Sequence, residues 1–250
     1  MSSIKTIAKD FIPPIFLKIL KKIKSVKNKK DENLQEFFSP KLESYSQFQE
    51  DLLIDLILGR KKTGLYIDIG ANDPFVNNNT QRFYQRGWRG INIEPNKIAY
   101  EKIKQNRTED CNLNIAISEN AGEITFYLIG EDSSISTLNY KQALKMAKIT
   151  KGKITTCTVQ TKTLKNVLDE NAENRQIDFM SVDAEGHDLE VLKSNDWSKY
   201  RPFLILVESN IKTKDILNYM KENGYKYIFS NQVNALFIDN RVIDKEIFLN

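Results

Sequence analysis

The sequence predicts an α/β protein with a mostly parallel sheet that ends in an antiparallel pair of strands. Three observations carry this. Short apolar runs at 65–69, 90–93, 177–182 and 203–207 alternate with segments of helical spacing, the pattern of βαβ units. Three strands end in acids, Asp68, Glu94 and Asp183, which gathers carboxylates at the carboxyl edge of such a sheet, where open α/β folds bind their ligands. The last two runs, 225–229 and 234–238, are separated only by Ser230-Asn231-Gln232, a hairpin spacing.

The bulk composition narrows the class. A chain of 250 residues suits one α/β domain with an appendage. With 40% hydrophobic residues it can bury a core, and no apolar run approaches the ~20 residues that span a bilayer. Residues 1–30 hold nine lysines and one acid, a charge of +8, so the rest of the chain carries −4 against the total of +4. A mildly acidic body argues against a nucleic-acid-binding globule. Cys111 and Cys157 lack metal-type spacing, and a reducing cytoplasm is the simpler setting. No signal peptide is expected, because Lys5, Lys9, Asp10 and Pro13-Pro14 interrupt the first apolar residues.

Taken in order, residues 4–24 place Ile4, Ile7, Phe11, Ile15, Leu17, Ile19, Leu20 and Ile23 at roughly helical spacing with lysines between them. Pro13-Pro14 break that pattern and leave a second helix from Pro14 to Lys24. A basic amphipathic helix of this kind either lies on an anionic membrane surface or docks its apolar face on protein. Ser25–Glu36 is polar and reads as a linker. Phe48, Leu52, Leu53, Leu56 and Ile57 fit a helix within Ser44–Leu58 that stops at Gly59. The first strand, 65–69, runs into a Gly turn and a helix over 80–86. Strand 90–93 is followed by a helix over 97–105, and short strands are expected at 112–116 and 123–129. A polar loop, Gly130–Ser136, long enough to act as a substrate lid, precedes a helix over 139–148. Strand 154–159 and a helix around 164–168 lead to strand 177–182, a helix over 187–193, strand 203–207 and a helix over 213–222. The lysine-rich strip 141–153 reads as a solvated face, Trp88 and Trp197 as packing residues, and Asn77-Asn78-Asn79-Thr80 as a helix cap.

The chemistry is read from the strand ends. Glu94 lies 24 residues after Gly70, the place of an acid that accepts hydrogen bonds from both ribose hydroxyls of a nucleoside. Its bland alternative is a helix-initiating acid before Pro95. Gly70, without a Cβ, would let a ligand approach the backbone. The turn reads G-A-N-D-P and offers no glycine-rich cradle for a pyrophosphate, so a nucleoside cofactor without phosphates fits better; S-adenosylmethionine is such a cofactor.

YIDIGAND at 66–73, GWRGINIEPN at 87–96, NIAIS at 114–118 and IDFMSVDAEGHDLEVLKS at 177–194 together resemble the FkbM family of S-adenosylmethionine-dependent methyltransferases, over about Leu65 to Asn210. The resemblance implies a Rossmann-like class I methyltransferase fold with a seven-stranded sheet and a reversed terminal hairpin, spanning 46–250 behind a basic segment and linker at 1–45. It implies methyl transfer, usually to oxygen, and often in surface-polysaccharide or glycoconjugate biosynthesis. By position, Asp68, Gly70 and Asn72 match the first cofactor motif, Glu94 the ribose acid, and Asn114–Ile117, with Ala116 and Ile117, the strand end beside adenine. Asp183, Glu185, Gly186 and His187 match the D-x-E-G-H segment. Pro74 stands where the family often has Gly.

A sugar hydroxyl must lose its proton as it attacks a methyl group, so a base is needed. His187, the single histidine, is one candidate base, and Glu185 is its rival. Asp183 is placed to contact the cofactor's amino group or to orient the acceptor. A divalent cation held by Asp183, Glu185 or His187 with Glu208 is a further reading, magnesium or manganese before zinc, set against two acids satisfied by backbone and water. The expected whole is a cytoplasmic enzyme with a carbohydrate acceptor and no nucleic-acid partner, held at the inner membrane face by residues 4–24. Its rivals are a nicotinamide-dependent oxidoreductase, disfavoured by the missing pyrophosphate loop, and a non-catalytic adaptor, which would have no need of the three acids.

Overall fold

The structure, a computed structural model, describes residues 43–130, 132–173, 175–209 and 213–243. The amphipathic segment 4–24 and the linker Ser25–Glu36 lie outside the described residues. From Ser44 onward the chain forms one compact unit.

The first helix, α1 (Glu50–Ile57), is shorter than its apolar pattern suggests, because Gln49 takes a left-handed φ of 67° and ends the helical path. It docks through buried acids as well as through Ile54 and Ile57. Asp55 takes both guanidinium nitrogens of Arg86, Asp51 accepts from Ser44 and Tyr45, and Glu50 accepts from Asn231 and Asn234, while Phe48 stays 50% exposed.

Beyond α1 the elements run β1 (Leu65–Ile69), α2 (Gln81–Gln85), β2 (Arg89–Ile93), α3 (Lys97–Asn106), β3 (Cys111–Leu113), β4 (Ala116–Ile117), β5 (Gly122–Ile129), β6 (Asp132–Thr137), α4 (Tyr140–Thr150), β7 (Ile154–Lys162), α5 (Leu164–Asn171), β8 (Phe179–Val182), α6 (Asp188–Lys193), β9 (Leu204–Glu208), α7 (Thr213–Glu222), β10 (Tyr225–Ser230), β11 (Asn234–Asp239) and α8 (Asn240–Ile243). The main sheet has seven strands in the order β3-β2-β1-β8-β9-β11-β10. All neighbours are parallel except β11, which runs against both β9 and β10. Every residue of β1 is buried, as expected of a central strand covered on both faces. Trp88 and Trp197 are both packed in the interior, as their sequence positions suggest.

Strand order reverses between β1 and β8, and the carboxyl ends of these two strands frame the crevice where such sheets bind ligands. The loops after β1 and β8 touch there. Gly70 has φ 77°, and a Cβ on it would overlap the Asp183 carbonyl oxygen. The glycine is therefore required by the neighbouring loop as much as by any ligand.

The sequence pattern did not reveal a second sheet, of four strands in the order β4-β7-β5-β6. The single strand expected at 112–116 is divided between the two sheets: β3 pairs with β2, and β4 pairs with β7. Asn114 makes the crossing, its Nδ2 donating to the carbonyls of Glu94 (2.8 Å) and Pro95 (3.0 Å). The polar segment after Gly130 is a strand, β6, not a loop, because β5 offers it an antiparallel edge.

Candidate active site

The turn after β1 is braced from beneath. Asp68, buried at the end of the strand, accepts from Thr80 Oγ1 at 2.7 Å and from Asn78 Nδ2 at 3.5 Å. Asn78 Oδ1 in turn accepts from the backbone N–H groups of Thr80 and Gln81, which caps the start of α2, as its sequence position suggests. Arg107, fully buried, donates to Asn78 Oδ1, to the Pro74 carbonyl and to the Tyr66 hydroxyl. Burial pushes the Asp68 carboxyl up to about 6, against the Thr80 hydrogen bond and the Arg107 charge, which both lower it. Pro74, the family departure, thus supplies a carbonyl that Arg107 grips. Arg107 was not singled out in the sequence; an arginine among polar residues carries no local sign of burial.

Glu94 closes the next side. It is 5% exposed; its Oε2 accepts from the Asn72 N–H at 2.8 Å and its Oε1 from the Asn96 N–H at 2.7 Å. Each oxygen keeps a further lone pair for a ligand. Burial raises this carboxyl to about 7, opposed by the two backbone hydrogen bonds and assisted by the charges of Asp68 and Asp183. Asn72, with φ 46°, turns its N–H toward Glu94, a left-handed conformation that asparagine tolerates. Both readings of Glu94, ribose acceptor and helix-initiating acid, are compatible with one carboxylate, since its Oε1 bonds the N–H of Asn96, the N-cap of α3.

The D-A-E-G-H segment forms the third side. Asp188, the first residue of α6, accepts from Ala184 N–H (2.8 Å) and Gly186 N–H (3.1 Å) and so ties the loop down. Its own carboxyl is raised by burial to about 7. Glu185 adopts φ 49°, which costs an L-residue with a Cβ roughly 1–2 kcal/mol. Its carbonyl accepts from Thr137 Oγ1 of β6 at 2.8 Å, joining the loop to the second sheet. Asp183 is exposed at the cavity; the protein packed around it still raises its carboxyl to about 6, opposed by hydrogen bonds from the Glu185 backbone and from Glu208. Asp183, Glu185 and Glu208 bring ligand oxygens within 4.8 Å of one another, an oxygen-rich set of the kind a hard divalent cation takes.

His187 is placed elsewhere. It precedes α6, does not line the cavity, and its Nε2 lies 3.3 Å from Ser118 Oγ. Against the expectation that it sits at the pocket mouth, His187 is not among the cavity-lining residues, whereas Asp183 and Glu185 are.

These loops surround one cavity of about 490 Å³. Asp68, Gly70, Asn72, Glu94, Ala116, Ile117, Asp183 and Glu185 all line it. The opposite wall comes from the second sheet and α4, through Phe126, Ser136, Gln142, Lys145, Met146 and Ile149. The lysines of the strip 141–153 are exposed, as expected of a solvated face, but Gln142, Lys145, Met146 and Ile149 of its helix also line the cavity. A spacing of three and four residues from Gln142 to Ile149 was the available signal, hidden because the lysines between dominate the composition.

Sheet order, switch-point cavity and acid-lined strand ends define a class I Rossmann-like methyltransferase. A family model described as the methyltransferase FkbM domain matches residues 68–227, and the chain belongs to this family. Among solved structures, it is similar to a METTL16 MTase domain (12% identity, 78% of this chain and 67% of that one, TM-score 0.44), to a precorrin-6y C5,15-methyltransferase from Geobacter metallireducens (11%, 80% and 94%, 0.39) and to a methyltransferase from Geobacter sulfurreducens (11%, 96% and 96%, 0.38). A comparison with curated protein sequences finds no match. The cofactor is S-adenosylmethionine, and the residues present fit it: its sulfonium and ammonium charges suit a cavity lined by Asp68, Glu94 and Asp183. Glu94 would hold the ribose, and Ala116 and Ile117 would flank the base.

Proposed function

We propose that this enzyme methylates a sugar hydroxyl in the biosynthesis of a cell-surface polysaccharide or glycoconjugate. The observation that carries the reading is the chemistry of the cavity wall away from Glu94. Asn77, Asn79, Ser134, Ser136 and Gln142 line it, and Phe126 is the one aromatic ring among the lining residues. Nucleobase acceptors are held by stacking on aromatic faces, whereas a polyhydroxylated acceptor is held by hydroxyl and amide partners. The cofactor supplies an activated methyl group. The chain supplies the base: as the acceptor oxygen attacks, its proton passes to a carboxylate of the Asp183, Glu185 and Glu208 group. Asp183, raised to about 6, is still ionised at neutral pH and is a stronger base than an ordinary aspartate.

The reading extends to location. Residues 4–24 hold the enzyme on the cytoplasmic face of an anionic membrane, which brings it to acceptors assembled there. Among the described residues no helix is long and apolar enough to cross a membrane. Mass spectrometry of surface glycans from cells with and without the gene tests the acceptor: one sugar should lose the mass of a methylene, and unchanged glycans would overturn the assignment. Sedimentation with anionic vesicles tests the segment, since removing residues 1–30 should abolish co-sedimentation and leave cofactor affinity unchanged.

A further inference from the structure

Two polar side chains on the second-sheet wall have no use within the described fold. Ser136 is 8% exposed, and its Oγ is buried without a hydrogen-bond partner. Gln142 is 9% exposed, and its carboxamide makes no hydrogen bond to any described residue, although its backbone N–H is capped by Asn139. Both line the cavity. A buried polar group without a partner is costly, so the Ser136 hydroxyl, on a wall where the Gln142 carboxamide is also free to bond, marks a place where a ligand supplies the missing bonds.

The same wall is basic. Gln142, Lys145, Met146 and Ile149 follow the i, i+3, i+4, i+7 spacing of one helix face, and all four line the cavity. Between residues 133 and 168 the chain has seven lysines and no acid. Lys145 has no carboxylate partner among the described residues, unlike Lys162 and Lys165, which pair with Glu170 and Asp169. The cavity lining therefore combines the acids Asp183, Glu185 and Glu208 with the ammonium-bearing Lys145, which has no carboxylate partner among the described residues.

We propose that β6 and α4 form an acceptor subsite for a sugar that carries an anionic group, a phosphate or a carboxylate. Ser136 and Gln142 hydrogen-bond the sugar hydroxyls, and Lys145 pairs with the anion. The polarity fixes the orientation: with the anion on Lys145, repulsion from the three acids keeps that end away from them and leaves a hydroxyl turned toward the base. Lys145 is here a specificity determinant. The inference rests on the sugar O-methyltransferase reading and narrows its substrate class.

The test uses the full chain saturated with S-adenosylhomocysteine, titrated with glucose, glucose 1-phosphate or glucuronic acid and followed by ligand-observed NMR. At least one anionic sugar should bind about five- to tenfold more tightly than glucose, and which of the two does so identifies phosphate or carboxylate as the source. Lys145→Ala should erase that preference, Lys145→Arg should keep it, and Gln142→Ala should weaken all three sugars alike. Equal binding of glucose and both anionic sugars, a preference that survives Lys145→Ala, or no sugar binding to the loaded protein would overturn the subsite. In the last case bound S-adenosylhomocysteine still upholds the methyltransferase; its failure to bind would remove the enzyme reading and the subsite with it.

Discussion

Across the cavity, the rim of the seven-stranded sheet faces the wall made by the four-stranded sheet and α4, and the two treat polar atoms differently. On the rim, Asp68, Glu94 and Asp188 each accept two hydrogen bonds from neighbouring loops. On the wall, Ser136 Oγ is buried without a partner and the Gln142 carboxamide bonds to no described residue. These three acids, held before any ligand arrives, are preorganised for one constant partner, the cofactor. A wall with open valences has its specificity completed by whatever acceptor it meets. Thr137 and Glu185 tie the two together by a direct hydrogen bond near the acids.

The largest effect should come from Gly70→Ala, which breaks the rim at its tightest point. The added methyl meets the Asp183 carbonyl in a left-handed residue, and a loss on the order of 3 kcal/mol is expected, from steric overlap and backbone strain combined. Urea denaturation reads it, and wild-type stability in the variant would show that the two loops separate freely.

Next is Glu94→Gln. The amide keeps an acceptor for one of the two backbone N–H groups but loses the charge, so S-adenosylmethionine affinity should fall by about tenfold or more, one charge-assisted hydrogen bond. Calorimetry with wild-type circular dichroism as a control decides it; unchanged affinity would leave Glu94 as a loop organiser only.

The pH dependence of the rim follows with its sign. Asp68 at about 6, and Glu94 and Asp188 at about 7, lie above their unfolded values, so the folded state binds more protons between about 4 and 7. Their contribution to the ligand-free protein is complete below about 4 and is lost as pH rises through 6 to 7. Cofactor affinity should run oppositely, rising over the same window, because a cationic ligand favours the ionised acids. Chemical denaturation and calorimetry at pH 5.5 and 8 should show the two trends crossing; parallel trends would mean that the acids do not face the cofactor's charge.

The smallest effect concerns the loop between the two walls. Glu185→Gly relieves the positive φ and should stabilise the protein by up to about 1 kcal/mol, offset in part by the freer unfolded chain, while methyl transfer falls. A variant destabilised by more than that would show that the Glu185 side chain holds the loop.

Much of the rim was legible beforehand, since strand ends, turn residues and the spacing from Gly70 to Glu94 are local features. Three readings changed for reasons no local pattern contains. Gly70 serves the Asp183 carbonyl, more than a hundred residues away. His187 does not line the cavity and its Nε2 lies against Ser118 Oγ instead. The polar stretch after Gly130 pairs with β5 and becomes a strand. The wall was the least legible, because its helix is amphipathic with modest contrast and its apolar side faces a cavity rather than a core.

By itself the sequence determined the succession of strands and helices, the acids at the strand ends and the absence of a pyrophosphate cradle, because periodicity and turn chemistry act within a few residues. The tertiary structure alone decided that β4 to β7 leave the main sheet, that Asp183, Glu185 and Glu208 converge while His187 departs, and that Lys145 looks into the pocket. Those outcomes depend on which distant segments share an edge or a wall, and that is settled by packing between them.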